Sequence, residues 1–237
     1  LDVDGGTIKL DGNYPVGTAN VALGDTALSS LTSGIQNTAV GHQALSLNTS
    51  ANNNSAFGRT ALANNSTGAD NSAVGLGALG NNTTGSNNAA FGMQALNQNT
   101  TASYNTATGY QALYTNTTGA ENAAFGQGAL YTNNGDKNNA FGANALRFNT
   151  SGDFNVAVGH TALFNNTTAS NNTAVGYKAG YSNTTGSGNT AFGFQAFRVN
   201  TTGSNNTAIG YEANANNTTG NLNVSVGLQS LVTNTTG

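Results

Sequence analysis

The sequence predicts an all-β protein, a parallel β-roll or β-solenoid in which one 17-residue repeat forms each coil. The first observation is a glycine that recurs every 17 residues, with one interval of 16 between Gly126 and Gly142. The second is that the residues around this glycine recur in fixed columns. The third is a charged fraction of only 6%, against about a quarter in ordinary globular domains. A strict short period is typical of stacked proteins in which each repeat contacts only its neighbours.

The repeating glycines, here called the motif glycines, each define one coil. They are Gly24, Gly41, Gly58, Gly75, Gly92, Gly109, Gly126, Gly142, Gly159, Gly176, Gly193, Gly210 and Gly227.

The chain divides into an N-terminal segment, residues 1–19, and the repeat array, residues 20–237. Residues 7–10 alternate like a short strand, and Asp11-Gly12-Asn13 is a turn signal. Pro15, the only proline, cannot donate to a strand ladder and separates this segment from the first coil. The chain starts without Met and stops inside a repeat, so we expect it to be part of a longer protein.

Columns are numbered here from the motif glycine, which is column 0. Column −4 is Asn in every copy, column −2 is Ala except at Ser225, and column −1 is a large apolar residue except at Thr108. Column +3 is Ala except at Ser230, and column +4 is Leu in ten copies. Column +7 is Asn except at Leu31, and Thr-Thr-Gly or a near variant follows.

These columns predict strands and corners rather than helices. Apolar pairs bounded by Gly and Asn give no stripe of helical period, and Asn favours turns. We expect two short strands per coil, near residues 173–175 and 162–164 in their copies, with corners at the motif glycine and at Asn-Thr-Thr-Gly. Stacked coils place identical residues about 4.7–4.8 Å apart, so the Asn columns should form hydrogen-bonded ladders. The 16-residue interval lacks one residue at positions 134–135, within the Thr-Thr-Gly corner.

Strand neighbours that are both apolar imply that both faces of the strand are buried. We expect the Ala columns to fill the lumen and the large columns, including Leu62, Leu96, Leu130 and Leu146, to face outward. An apolar strip of that length exceeds what a soluble monomer exposes, so the pattern predicts a homo-oligomer about a common axis. The alternative is that Leu and Phe fill the lumen while Ala faces solvent. The predicted interface residues are Phe57, Phe91, Phe125, Phe141 and Phe192.

The motif Asn-Thr-Ala-Val-Gly-x-x-Ala-Leu, as in residues 105–113 and 172–180, resembles the head repeats of trimeric autotransporter adhesins. It is more similar to long fibre and virion structural proteins of tailed bacteriophages, especially marine and cyanobacterial ones. In those proteins Thr-Ala-Val-Gly-Tyr-x-Ala-Leu and Asn-Thr-Thr-Gly recur, often after a segment like residues 6–15 here. The resemblance covers nearly the whole chain and implies a left-handed β-roll wound as a homotrimer.

Several function classes are disfavoured. The two histidines, His42 and His160, are seven coils and more than about 30 Å apart, and no catalytic set, metal spacing or cofactor motif is present, so we expect no enzyme, no metal and no cofactor. The six basic residues are scattered, which argues against nucleic acid. No apolar run approaches the roughly 20 residues of a membrane span, so we expect no membrane insertion.

Column +1, directly after the motif glycine, varies most and is the candidate for recognition of a partner. Aromatic residues there suit sugar stacking or protein contact; the alternative is that they are tolerated surface positions without a partner. The candidate recognition residues are Tyr110, His160, Tyr177, Phe194 and Tyr211.

The predicted function is therefore that of a structural and adhesive segment of a phage tail fibre or virion appendage that attaches to a host surface. The expected partners are further copies of the chain, other virion or baseplate proteins, and a host cell-surface glycan or protein. The expected location is the virion, or the cell exterior. One alternative is a bacterial trimeric surface adhesin or extracellular fibril. Another is an ice-binding β-solenoid, because the pairs Thr83/Thr84, Thr184/Thr185, Thr201/Thr202 and Thr218/Thr219 stack.

Overall fold

The structure, a computed structural model, describes residues 19–236 and contains one parallel sheet of thirteen strands. Each strand pairs only with its neighbours in chain order, so the first and last strands form the two edges of the sheet. This confirms an all-β solenoid with a 17-residue repeat. The strand and turn predicted at residues 7–13 lie outside the described residues. The strands are β1 Val21–Leu23, β2 Thr38–Val40, β3 Ser55–Phe57, β4 Ser72–Val74, β5 Ala89–Phe91, β6 Thr106–Thr108, β7 Ala123–Phe125, β8 Asn139–Phe141, β9 Val156–Val158, β10 Thr173–Val175, β11 Thr190–Phe192, β12 Thr207–Ile209 and β13 Val224–Val226.

The motif glycine ends each strand in a backbone conformation that L-residues rarely adopt. Gly193, for example, has φ +139°, and a Cβ placed on it would lie 2.3 Å from the carbonyl oxygen of Gly210 in the next coil. Successive coils therefore touch backbone to backbone at this corner. Glycine is required there because it has no Cβ and accepts positive φ.

The second strand predicted in each coil, near residues 162–164, is wrong. Thr161 and Leu163 have φ of 55° and 48°, in the left-handed region. The Thr161 N–H donates to Ala143 in the coil before, and the Leu163 N–H donates to Ala179 in the coil after. This segment still donates hydrogen bonds to the coils before and after it. It is not a strand, however, because strand residues have negative φ and every second residue here is left-handed.

The interior of the solenoid is filled by alanine and leucine. Ala107 of column −2, Ala112 of column +3 and Leu113 of column +4 are each 0% exposed. The predicted outward orientation of Leu62, Leu96, Leu130 and Leu146 is therefore wrong, since all four are 0% exposed. That prediction relied on strand alternation, and the segment that carries these leucines is not a strand. The alternative, with alanine outside, is also wrong, because the Ala columns share the interior.

Two ladders of buried asparagine run along the interior, as predicted. In column −4, Asn105 donates to the carbonyl of Gly119 at 2.9 Å, and its Oδ1 accepts the N–H of Asn122 at 3.0 Å. In column +7, Asn99 Nδ2 donates to Asn82 Oδ1 at 2.7 Å and to the carbonyl of Ala102 at 3.0 Å. The Asn-Thr-Thr sequences of column +7 therefore place their asparagines inside the coil, where a glycosylating enzyme cannot reach them in the folded chain.

The missing residue lies in the Asn-Thr-Thr-Gly corner, as the sequence predicted. Asn116 Nδ2 donates to the carbonyl three residues on, at Gly119, whereas Asn133 donates to the carbonyl two residues on, at Gly135. Strand pairing on either side is undisturbed, with Phe125 opposite Phe141. The ladder tolerates the shorter corner because the asparagine Nδ2 reaches the glycine carbonyl oxygen at 2.8 Å in both the longer and the shorter loop.

Column +4 contains one buried polar residue whose replacement should stabilise the protein. Asn214 is 0% exposed, and neither Nδ2 nor Oδ1 has a hydrogen-bond partner within residues 19–236. A buried unsatisfied amide costs about 1–3 kcal/mol. We expect Asn214→Leu to raise the free energy of unfolding by about 1–3 kcal/mol, measured by urea denaturation. Asn216→Leu, at an exposed position two residues on, should bring no gain; a loss of stability in Asn214→Leu would contradict the prediction.

Candidate functional site

The outer side of the sheet carries an apolar strip in column −1. The predicted interface residues Phe57, Phe91, Phe141 and Phe192 are 42%, 42%, 41% and 55% exposed, and Phe125 is 37% exposed. The rings of Phe125 and Phe141 stack with centroids 4.9 Å apart. The structure thus places all five side chains on the surface, facing away from the Ala column of the same strands. Their role in an interface stays a prediction.

Four of the five candidate recognition residues form one stack. His160, Tyr177, Phe194 and Tyr211 occupy column +1 of four consecutive coils, and their ring centroids are 5.8, 5.2 and 5.0 Å apart in that order. The planes of neighbouring rings differ by no more than 20°. Tyr110 is exposed but stands apart from this ladder, because two coils with Gln127 and Ala143 in column +1 separate it from His160.

A second aromatic ladder, in column +5, was missed by the sequence analysis. Tyr114 stacks on Tyr131 with a centroid separation of 5.2 Å, and Phe164 stacks on Tyr181 at the same separation. Between these pairs, the Arg147 guanidinium lies over the Tyr131 ring, 4.7 Å from its centroid. The signal was available in the sequence: column +5 is aromatic or basic in six consecutive coils, from Tyr114 to Arg198, and small or polar before them.

Column +2 joins the two ladders into one surface. The Lys178 Nζ lies 5.3 Å from the Tyr177 ring centroid in column +1 and 5.4 Å from the Tyr181 ring centroid in column +5. Arg147 of column +5 donates a 2.5 Å hydrogen bond to Asn144 Oδ1 of column +2. We call the surface formed by columns +1, +2 and +5 in the coils of Gly109 to Gly210 the aromatic face.

Charge is divided between two sides of the coil. The aromatic face contains three cations and one acid, Glu212, whose carboxylate accepts a hydrogen bond from Gln229. Columns +11 and +12 instead contain four acids and one cation, Lys137; the acids are Asp70, Glu121, Asp136 and Asp153. The aromatic face is therefore locally basic, although the whole chain has a formal charge of −3. The three cations are Arg147, Lys178 and Arg198.

The stacked Thr pairs do not present two columns of free hydroxyls. Thr83 and Thr184, in column +8, are half-buried and donate their hydroxyls to the carbonyls of Thr100 and Thr201 in the next coil. Only the second threonine of each pair, such as Thr84, is exposed. A regular hydroxyl array for ice is thus reduced to one column at a corner.

Potential metal-ligating side chains do not cluster in the described part of the chain. Over residues 19–236, no three His, Cys, Asp or Glu side chains converge as metal ligands. His42 Nε2 lies 3.5 Å from Asp25 Oδ2, but both side chains are well exposed, and exposed ion pairs contribute little. Nor does the described part of the chain contain a helix with the length and apolarity needed to cross a membrane.

Comparison of the chain with protein families, with curated proteins and with solved structures finds no match in any of the three. The chain has two surfaces suited to contact with a partner: the apolar strip of column −1 and the aromatic face.

Proposed function

We propose that this protein is a structural and adhesive fibre segment, a stiff rod that assembles with copies of itself and presents a binding surface. The observation that carries the proposal is the apolar strip of column −1, which runs along the solenoid and is interrupted by one polar residue, Thr108. Soluble monomers rarely leave continuous apolar surface of more than a few hundred Å² exposed. Burial of the strip against copies of the chain about a common axis would remove it from water.

Assignment of the rod to a phage tail fibre or virion appendage, with a three-chain assembly, is part of the same proposal. It is supported by the similarity of the Asn-Thr-Ala-Val-Gly and Asn-Thr-Thr-Gly motifs to fibre repeats. A bacterial trimeric adhesin would use the same rod and the same strip. Attachment to a host surface would fall to the aromatic face, because the apolar strip is occupied by self-association.

The first test is the molar mass of the purified chain in solution by multi-angle light scattering. We expect three times the chain mass of 23.7 kDa. Phe91→Asp together with Phe125→Asp should shift this mass to that of the single chain, because assembly would bury two uncompensated carboxylates. The measurement is light scattering on both proteins at equal concentration.

A matched control places two negative charges in another column of nearby coils. Ser86 and Ser103 lie in column +11, where Asp136 and Asp153 occur naturally and their carboxylates accept the same backbone hydrogen bonds as the serine hydroxyls. Ser86→Asp with Ser103→Asp should leave the mass at three chains. A single-chain mass for the unmodified protein, or an intact assembly in the phenylalanine variant, would refute self-association through the strip.

A further inference from the structure

Stacking determines which part of each aromatic ring on the aromatic face can meet a ligand. In the ladder from His160 to Tyr211, ring faces lie against one another, while Tyr177, Phe194 and Tyr211 remain 40–47% exposed. The exposed part of each ring is therefore its edge. Aromatic edges carry partial positive charge and faces partial negative charge. The ladder consequently attracts anions and hydrogen-bond acceptors, and it offers few free faces on which a neutral sugar could stack.

The cations of the aromatic face also favour an anionic ligand. Lys178 lies between the rings of Tyr177 and Tyr181, and Arg147 lies over Tyr131, so both side chains are held in place by ring contacts. Arg198 Nε is buried and has no hydrogen-bond partner among the described residues. Three positive groups on four consecutive coils, with edge-on rings between them, form a basic track parallel to the solenoid axis.

We propose that the aromatic face binds an acidic polysaccharide, with carboxylate-bearing sugars aligned along the solenoid axis. This inference rests on the adhesive part of the proposed function and names its ligand class. Carboxylates pair with Lys178, Arg198 and Arg147, and sugar hydroxyls accept from the tyrosine hydroxyls and the column +2 amides such as Gln195. Binding is built from several weak contacts repeated at the coil spacing, which is the arrangement that a linear polymer can match.

Two other polymers fit less well. Single-stranded nucleic acid gains affinity when its bases stack on free aromatic faces, and these faces are occupied within the ladders. Phosphate-backbone binding also uses about six to ten cationic contacts, whereas the track has three. In an extended acidic peptide, side chains on one face are about 6.6 Å apart, out of register with rings spaced 5.0–5.8 Å apart.

Calorimetric titration of the whole assembled chain tests the proposal. The probe is an oligogalacturonide, and the matched probe is the same oligomer with its carboxylates methyl-esterified. We expect the acidic oligomer to bind with an affinity that falls as salt is added, and the ester to bind about tenfold more weakly or not at all. A single-stranded oligonucleotide of equal charge serves as the competing polymer and should bind less tightly than the acidic oligomer.

A variant ties binding to the track. Lys178→Gln with Arg198→Ala should weaken binding roughly fivefold or more, and both substitutions use residues that their columns already contain, at Gln195 and Ala215. Lys137→Gln, which removes a cation near Phe154 on the other side of the coil, should leave binding unchanged.

Several outcomes would overturn the proposal: absence of binding, equal binding of the ester, tighter binding of the oligonucleotide, or equal loss in Lys137→Gln. Light scattering on the same samples distinguishes polysaccharide binding from self-association. A chain that assembles but binds no acidic oligomer would support self-association and refute polysaccharide binding. A chain that stays single but binds the acidic oligomer would support polysaccharide binding and refute self-association.

Discussion

Alanine in place of Gly193 is expected to lower the free energy of unfolding by about 3 kcal/mol, whereas alanine in place of Gly203 in the same coil should cost less than about 1 kcal/mol. The two sites are alike in one respect: a Cβ at either would lie 2.3 Å from the carbonyl oxygen of a glycine in the next coil. They differ in backbone conformation, because only Gly193 has positive φ, at +139°.

The chain itself supports this distinction. Column +10, to which Gly203 belongs, contains Ala51, Ala102 and Ala169, each between two glycines as Gly203 is, so small shifts accommodate a Cβ there. The motif-glycine column contains no other residue in thirteen copies. Urea denaturation gives both free energies, and hydrogen exchange of strand β11 reports local opening. Equal losses in the two variants would show that close approach, rather than φ, governs this corner.

The second large effect is expected in the buried asparagine ladder of column +7. Asn99→Ala with Asn116→Ala breaks the chain of side-chain bonds between Asn82 and Asn133 and leaves the buried Asn82 Oδ1 without its donor. It also removes one of the two amides that donate to each of the carbonyls of Ala102 and Gly119. Five buried hydrogen bonds are lost, each of which contributes about 0.5–1.5 kcal/mol, and an acceptor left unpaired costs about 1–3 kcal/mol. We therefore expect a loss of about 3–5 kcal/mol and a melting temperature lower by about 10 °C, measured by circular dichroism.

The control removes the same kind of bond from the surface. Asn64 Nδ2 donates to Asn81 Oδ1 at 2.8 Å, between residues 17 apart, at an exposed site. Asn64→Ala with Asn81→Ala should lower the free energy of unfolding by less than about 1 kcal/mol, since water replaces the lost partners. If both double variants melt alike, burial of the ladder contributes nothing specific.

The sequence predicted the stacking, the register and the Asn ladders because each depends on the identity of residues in a column. It failed where orientation depends on backbone conformation. Leu113 has φ +52°, and nothing in a leucine indicates a left-handed residue, so the second strand and the outward Leu column were wrong. The outward orientation of the Phe residues in column −1 was predicted correctly. They follow the buried Ala of column −2 on an observed strand, where neighbouring side chains point to opposite faces.

Only part of the aromatic face could be predicted from the sequence. Variation in column +1 identified His160, Tyr177, Phe194 and Tyr211, but the face-to-face contact that hides their ring faces depends on rotamers. The bridge from Tyr177 to Tyr181 through Lys178 also depends on side-chain packing across three columns. Column +5 could have been found by aligning the coils, and the sign of the local charge by counting cations per column.

The asparagine ladder of column +7 has one further property, an electrical direction. The side-chain donor lies in the later coil and the acceptor in the earlier one, as from Asn99 Nδ2 to Asn82 Oδ1 and from Asn116 Nδ2 to Asn99 Oδ1. The buried amide dipoles therefore add along the axis, with their positive end toward the N-terminal coils, much as peptide dipoles add in a helix. Aligned amides also polarise one another in a low-dielectric interior. Thr hydroxyls such as that of Thr83 point the opposite way, at a corner where water screens them.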